Sequence, residues 1–229
     1  MNNTISDIIS AAANHGWVLE PDALQVLKLS NIDVVRFHHA KSAQEAIDFA
    51  NTINYPVVAK VVSPAIMHKS EVNGVAVGVT NKEELSEHFE RFRHMEDFIG
   101  MVVEEMVQAT GPELIIGAKR DPQFGPVVLL GIGGTGVEIY KDTTIRMAPL
   151  VSGDVAAMVK KLRAHRLLEG YRASQPVNMD ALTKLMLGFS KLVMQLDDKF
   201  ESIDLNPVLC TKDRCLAADV RIVLANPAA

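Results

Sequence analysis

Apolar residues recur along this chain at two distinct spacings. Val57–Val62 and Val75–Val79 are dense runs of β-branched residues, the signature of buried strands. Similar runs at Met101–Val107, Glu113–Lys119, Val127–Ile132, Val137–Tyr140, Thr144–Ala148, Ile203–Leu209 and Leu216–Leu224 predict further strands. Helical spacing takes over elsewhere. Ser42 with Glu45 forms a capping box ahead of Ala46, Ile47 and Ala50. Thr80 with Glu83 repeats that signal ahead of Leu85, Phe89 and Phe92, and Val155, Met158, Val159 and Leu162 mark another amphipathic helix. Asn178 caps a longer one that carries Leu182, Leu185, Met186, Phe189, Leu192, Val193 and Leu196. Ile5–His15 and Pro21–Leu29 follow the helical period more loosely. Strands and helices mix without strict alternation, which predicts an α+β fold rather than a doubly wound parallel sheet. Gly111-Pro112 breaks the pattern after Val107, so a hinge is expected at residues 107–112, with one α+β lobe before it.

The strand Val57–Val62 contains one lysine, Lys60. A buried ammonium is costly unless an anion meets it. The loop that follows offers Ser63, His68, Lys69, Ser70 and Gly74, groups suited to phosphate oxygens. A phosphate site is one reading. The other is a lysine on an edge strand, its stem packed and its ammonium in water. The pattern is not a P-loop, because no Gly-Lys-Ser/Thr is present and no helix opens directly after it. Under the phosphate reading, Lys60→Met should leave the fold intact and weaken nucleotide binding by about 1.5–3 kcal/mol.

Three other groups carry candidate chemistry. The strand with Glu104, Met106 and Val107 leads into the hinge, where backbone groups can meet an adenine edge and Glu113 can accept two ribose hydroxyls. The alternative is a pair of surface glutamates, Glu104 and Glu105, beside a buried valine run. Near the C-terminus, Ser202–Cys210 and Cys215–Val223 flank a turn at residues 211–214. A symmetric turn sets Asn206 opposite Asp219, Asp204 opposite Arg221 and Cys210 opposite Cys215. Cβ atoms of such pairs lie roughly 4.5–5.5 Å apart. Asn206 and Asp219 can then share one hard cation such as Mg²⁺, which takes few protein oxygens plus substrate phosphates. Polar residues on a hairpin's wet face are the alternative. The run Gly131–Gly136, followed by Glu138, Lys141 and Asp142, permits close backbone approach but is not a dinucleotide fingerprint.

Composition narrows the classes. The chain has 229 residues, 48% hydrophobic and 22% charged, as ordinary soluble proteins do. Its net charge of −5 argues against nucleic acid as a partner. The longest uncharged run, Phe124–Val137, holds 14 residues and is too short for a membrane helix. No basic segment precedes the first apolar run, so no secretory signal is expected and a cytoplasmic location is. Cys210 and Cys215 are the two cysteines, expected as reduced thiols there. His15, His38, His39, His88, His94 and His165 read as surface residues in helices or loops, whereas His68 sits inside the candidate phosphate loop.

Taken in order, several segments resemble the ATP-grasp module of ADP-forming (NDP-forming) acyl-CoA synthetases. They are similar in particular to the β subunit of acetate–CoA ligase, a relative of the succinyl-CoA synthetase β subunit. The segments are Val57-Val-Ala-Lys60 with Ser63-Pro64 and His68-Lys-Ser70, then Glu113–Gly117 and Arg120–Val128. Gly133-Gly134, Glu138, Lys141-Asp142, Asp204–Pro207 and Asp219 complete the series. The likeness runs from about Trp17 to Leu224. It implies an ATP-grasp fold of two α+β subdomains with the nucleotide in the cleft between them. The small subdomain would span 23–106, and the larger 1–22 with 107–229.

The resemblance implies roles as well. Lys60, with Ser70 and Gly74, would contact the nucleotide phosphates. Glu104 and the backbone at Met106 and Val107 would meet adenine, and Glu113 the ribose. Asn206 and Asp219 would hold Mg²⁺. His68 would relay a phosphoryl group between ADP/ATP and a histidine on an α subunit, the partner that carries the CoA-binding and phosphohistidine domains. The family's loop usually ends Gly-Gly-Val, whereas here it is Asn73-Gly-Val75, and Asn tolerates a left-handed backbone. Two other functions fit the same residues: a free-standing ATP-grasp carboxylate ligase, and a non-catalytic nucleotide-binding regulatory module.

Overall fold

The computed structural model describes residues 3–109, 111–134, 141–171 and 175–225. The strand expected at Val137–Tyr140 lies outside them. The chain divides into two compact units, one of residues 35–107 and one of residues 1–34 with 108–229.

The smaller unit is an antiparallel sheet with two helices. Its strands are β2 (Phe37–Ala40), β3 (Val57–Val62), β4 (Val75–Val79) and β5 (Gly100–Glu105), in the order β2-β5-β3-β4. β3 and β4 occupy the residues expected from their valine runs. Every residue of β5 is buried. Helix α3 (Ala43–Ile53) contributes Ala46, Ala50 and Ile53 to the core, and α4 (Lys82–Arg93) contributes Leu85, Phe89 and Phe92. These meet Val57, Ala59, Val61, Met101 and Val103 from the sheet. Each large apolar side chain buried there stabilises the unit by roughly 1.5–3 kcal/mol.

Capping follows the sequence signals with one shift. Ser42 Oγ accepts from the Glu45 amide at 3.2 Å, and the Glu45 carboxylate accepts from the Lys41 amide at 2.7 Å. At α4 the cap is Asn81, not Thr80. Its Oδ1 accepts from the Glu84 amide at 2.9 Å, while Glu84 accepts from the Thr80 amide at 2.8 Å. The motif slides by one residue because two adjacent residues can each cap a helix and two adjacent glutamates can each reciprocate. The short strand β2 was not expected, since two histidines interrupt its apolar pattern.

The larger unit is built on a sheet in the order β1-β11-β9-β6-β7-β8, with β10 paired to β9. Its strands are β1 (Trp17–Val18), β6 (Leu114–Asp121), β7 (Gly125–Ile132), β8 (Thr143–Met147), β9 (Phe200–Cys210), β10 (Cys215–Ala217) and β11 (Val220–Leu224). The helices are α1 (Asn3–Ala12), α2 (Glu20–Leu29), α5 (Ser152–Lys161) and α6 (Met179–Leu196). Asn178 caps α6 as expected, accepting from the Ala181 amide at 2.8 Å. The apolar face of α6 is buried and packs on β7 and β10.

Two expectations change here. The smaller unit begins at residue 35 rather than 23, because α2 packs on β11 with Ala23, Leu24, Val26 and Leu27 buried. Asp33 then accepts from the Ala217 amide at 3.0 Å and Val34 bridges Ala217, so the chain stays with the larger unit to that point. The strand expected over Leu216–Leu224 is two strands, broken at residues 218–219. Pro207 on the facing strand has no N–H to donate, and its carbonyl instead accepts from the Ala218 amide at 3.0 Å.

Candidate functional site

Lys60 lies on β3, an interior strand flanked by β4 and β5, in register with Val75 and Val102. That placement removes the edge-strand reading. Its ammonium sits 2.9 Å from Glu104 Oε2, with the two side chains only 8% and 2% exposed. Glu104 and Glu105 are therefore not surface glutamates. β5 lies between β2 and β3, and each of its carboxylates meets a cation brought by a neighbouring segment. Glu105 pairs with Arg36, just ahead of β2, at 2.9 Å. Sequence patterning missed Arg36, for no local signal links it to a residue 69 positions away.

The loop after β3 is anchored at its base and exposed at its tip. Ser63 is a structural residue: its hydroxyl donates to Glu96 O at 2.7 Å and accepts from the Ala65 amide at 3.0 Å. A short 3-10 turn, Lys69–Val72, presents His68 and Ser70 to solvent. Asn73 adopts the left-handed conformation, φ +55° and ψ +31°, as its identity suggested. Gly74 follows, buried, with its amide on Lys69 O at 2.7 Å and its carbonyl on the Val61 amide at 2.8 Å. A Cβ there would lie 2.6 Å from Val61 Cγ1 and 3.0 Å from Lys69 O, so only glycine fits between the loop and β3. Met106 and Val107 follow β5, Met106 exposed and Val107 partly so.

The larger unit holds the other candidates. Glu113 is exposed just before β6, and its carbonyl accepts from the Gly133 amide at 2.6 Å. A Cβ at Gly133 would lie 3.0 Å from that same oxygen, so this glycine lets the Gly131–Gly134 segment rest against Glu113. Asp142 is a structural residue, its carboxylate accepting from the Arg163 and Ala164 amides at 2.8 Å each.

The C-terminal hairpin has the register expected of it. Cys210 faces Cys215 and Asp204 faces Arg221, whose guanidinium meets Asp204 at 3.0 Å. The same register sets Asn206 against Asp219, with the Asn206 amide on Asp219 O at 3.2 Å. Both side chains offer oxygen, Asn206 exposed and Asp219 partly exposed. Among the described residues no three His, Cys, Asp or Glu side chains form a metal-binding group. An oxygen pair without a protein cage suits Mg²⁺, which keeps waters and phosphate oxygens as its remaining ligands. The cysteines differ from expectation: Cys210 and Cys215 are joined in a disulfide across the hairpin rather than left as thiols.

Residues 10–224 match the model of a family described as ATP-grasp domain. The chain is 38% identical over 224 residues to the β subunit of acetate–CoA ligase [ADP-forming] I from Pyrococcus furiosus, covering 95% of this chain and 96% of that one. The chain belongs to the ATP-grasp family, among the β subunits of ADP-forming acyl-CoA synthetases. A second relative, acetate–CoA ligase [ADP-forming] I of Archaeoglobus fulgidus, is 39% identical over 217 residues. That match takes in 92% of this chain but only 31% of the longer one. Among solved structures, acetyl-coenzyme A synthetase 1 of Candidatus Korarchaeum cryptofilum superposes with a TM-score of 0.84 at 33% identity. It covers 96% of this chain and 99% of its own. It was solved with coenzyme A and Mg-AMPPCP, its phosphohistidine segment pointing towards the nucleotide site.

Proposed function

We propose that this chain is the nucleotide-binding subunit of an enzyme that interconverts acyl-CoA, ADP and phosphate with a carboxylic acid, CoA and ATP. Its share is phosphoryl transfer between a phosphohistidine and Mg-ADP. The observation that carries the reading is the Lys60 ammonium, buried on an interior strand beside a loop that only Gly74 allows to close. The Mg-AMPPCP complex of the Korarchaeum relative supports it.

Lys60, with Ser70 and the Gly74 backbone, holds the phosphates. Glu104 fixes the ammonium with one oxygen, and the peptide groups at Met106 and Val107 meet the adenine edge. Glu113 accepts the ribose hydroxyls. Asn206 and Asp219 hold Mg²⁺, which neutralises phosphate charge when bound. Catalysis in this class rests on positioning and charge neutralisation. The exposed His68 imidazole attacks the phosphorus of a partner's phosphohistidine, forming one P–N bond as the other breaks. A terminal oxygen of ADP then takes the phosphoryl group, forming P–O and releasing His68.

The partner is an α subunit bearing the CoA-binding and phosphohistidine domains. The long Archaeoglobus relative, of which this chain matches under a third, supports that division of labour. No described helix is long and apolar enough to cross a membrane. The cytoplasm is the compartment this chemistry implies.

The test is ATP formation from acyl-CoA, phosphate and ADP by the chain reconstituted with its α partner. His68→Ala should bind Mg-ADP normally and lose that transfer. Near-normal ATP formation by the variant removes the relay. ATP consumption with a small acid and an amine, without partner, would point to a free-standing ligase. Nucleotide binding with no phosphoryl transfer in the complex would point to a regulatory module.

A further inference from the structure

Glu105 is the last residue of β5, and Arg36 stands immediately before β2. Three hydrogen bonds join them. The Glu105 amide donates to Arg36 O at 2.9 Å, the Arg36 amide donates to Glu105 Oε1 at 3.1 Å, and Arg36 Nε donates to Glu105 Oε2 at 2.9 Å. Both carboxylate oxygens and both backbone polar groups of Arg36 are thus used between the two residues. The Glu105 side chain is 7% exposed and that of Arg36 57%, so the arginine brings charge to a buried anion from the solvent side. Its Nη2 also reaches Ile53 O, at the end of α3, at 3.5 Å.

The clamp occupies a particular place. The smaller unit's two chain ends are residues 35 and 107, and the clamp lies one and two residues inside them. Strand ends ordinarily fray, since the terminal residue lacks a neighbour to hold it. Here the strand's last residue is fixed by its backbone and its side chain together. The next two residues, Met106 and Val107, follow directly from that fixed point.

We propose that Arg36 is a positioning residue that sets the base preference of the nucleotide site through Glu105. The inference rests on the reading that the Met106 and Val107 peptides meet the base. An adenine edge offers an acceptor at N1 and a donor at N6. Guanine presents a donor and an acceptor at the corresponding places. Peptide groups arranged for one therefore mismatch the other, and the discrimination is only as sharp as their placement. Without the guanidinium, the Glu105 carboxylate keeps the Arg36 amide but loses the Nε bond and the charge that offsets its burial, which loosens the strand end ahead of those peptides. Loosening costs the matched base more than the mismatched one.

The experiment uses the full chain, titrated with Mg-ADP and Mg-GDP by calorimetry. Hydrogen exchange at residues 106 and 107 is followed with and without ADP. In the native chain, ADP should protect those amides and bind more tightly than GDP. Arg36→Ala should raise the Kd for ADP about tenfold, which corresponds to about 1.4 kcal/mol. Its Kd for GDP should move by less than about twofold, a change worth under about 0.4 kcal/mol, so the ratio narrows. A role confined to stability would change neither Kd or both by one factor, and either result overturns the proposal. Arg36→Lys is the second variant should the alanine form fail to fold. It keeps the charge without the Nε bond and should narrow the ratio partway, whereas an unchanged ratio overturns the proposal. If ADP fails to protect residues 106 and 107 in the native chain, the adenine reading itself fails and the proposal with it. Protection with an unaltered ratio in both variants sinks the clamp alone.

Discussion

Replacing Lys60 by methionine separates what the ammonium does for the fold from what it does for a ligand. The methionine keeps most of the stem's packing on β3, so the change acts chiefly through charge. In the native chain the ammonium lies 2.9 Å from Glu104, whose side chain is 2% exposed. Removing one member of a buried ion pair costs about 3–5 kcal/mol, because the remaining charge stays in a poorly solvating site. Set against a domain stability of about 5–15 kcal/mol, that is a large fraction. Lys60→Met should therefore shift urea unfolding, followed by circular dichroism, to clearly lower denaturant without ligand present. The sequence-based expectation of an intact fold held Lys60 to a phosphate role alone, and the ion pair with Glu104 revises it. Adding Glu104→Gln removes the stranded charge, and the double variant should recover all but about 1 kcal/mol, the worth of an ordinary hydrogen bond. The cycle of four proteins reads the coupling directly. A single variant within about 0.5 kcal/mol of wild type, the usual range for surface changes, would refute the reasoning.

Asp219→Ala should leave the fold unchanged and weaken Mg²⁺-dependent nucleotide binding, since Asp219 faces Asn206 across the hairpin. An unaltered Mg²⁺ dependence in the folded variant would remove this pair from the site. Gly74→Ala drives a methyl to 2.6 Å from Val61 Cγ1 and should destabilise the smaller unit by about 1–3 kcal/mol, read as a lower melting temperature. His39 should make stability pH-dependent. Burial first, then the charge of Lys41, whose Nζ lies 3.0 Å from Nε2, pull its pKa from 6.5 down to about 4. Between those values the unfolded chain binds the proton and the native chain does not, so stability is full above pH 6.5 and falls towards pH 4. The loss should reach about 1–2 kcal/mol, allowing for screening of a half-buried group, and His39→Gln should flatten it.

Much of this molecule was written locally. Val57–Val62 and Val75–Val79 became strands at those residues because two valine-rich runs have few other ways to bury themselves. The hairpin register that sets Asn206 against Asp219 follows from a four-residue turn and the two-residue period of a strand. Asn73 turns left-handed and Asn178 caps α6, since those preferences belong to single side chains.

What the sequence could not hold was which segments lie side by side. Lys60 showed that an anion was needed, but only the strand order β2-β5-β3-β4 makes that anion Glu104 and brings Arg36 to Glu105. The same holds for α2, whose apolar face would fit either unit until β11 receives it. Periodicity, turns and caps depend on neighbours a few residues away, so they can be read from the chain. Charge compensation in a buried sheet depends on strands tens of residues apart, and their adjacency is decided when the whole core packs.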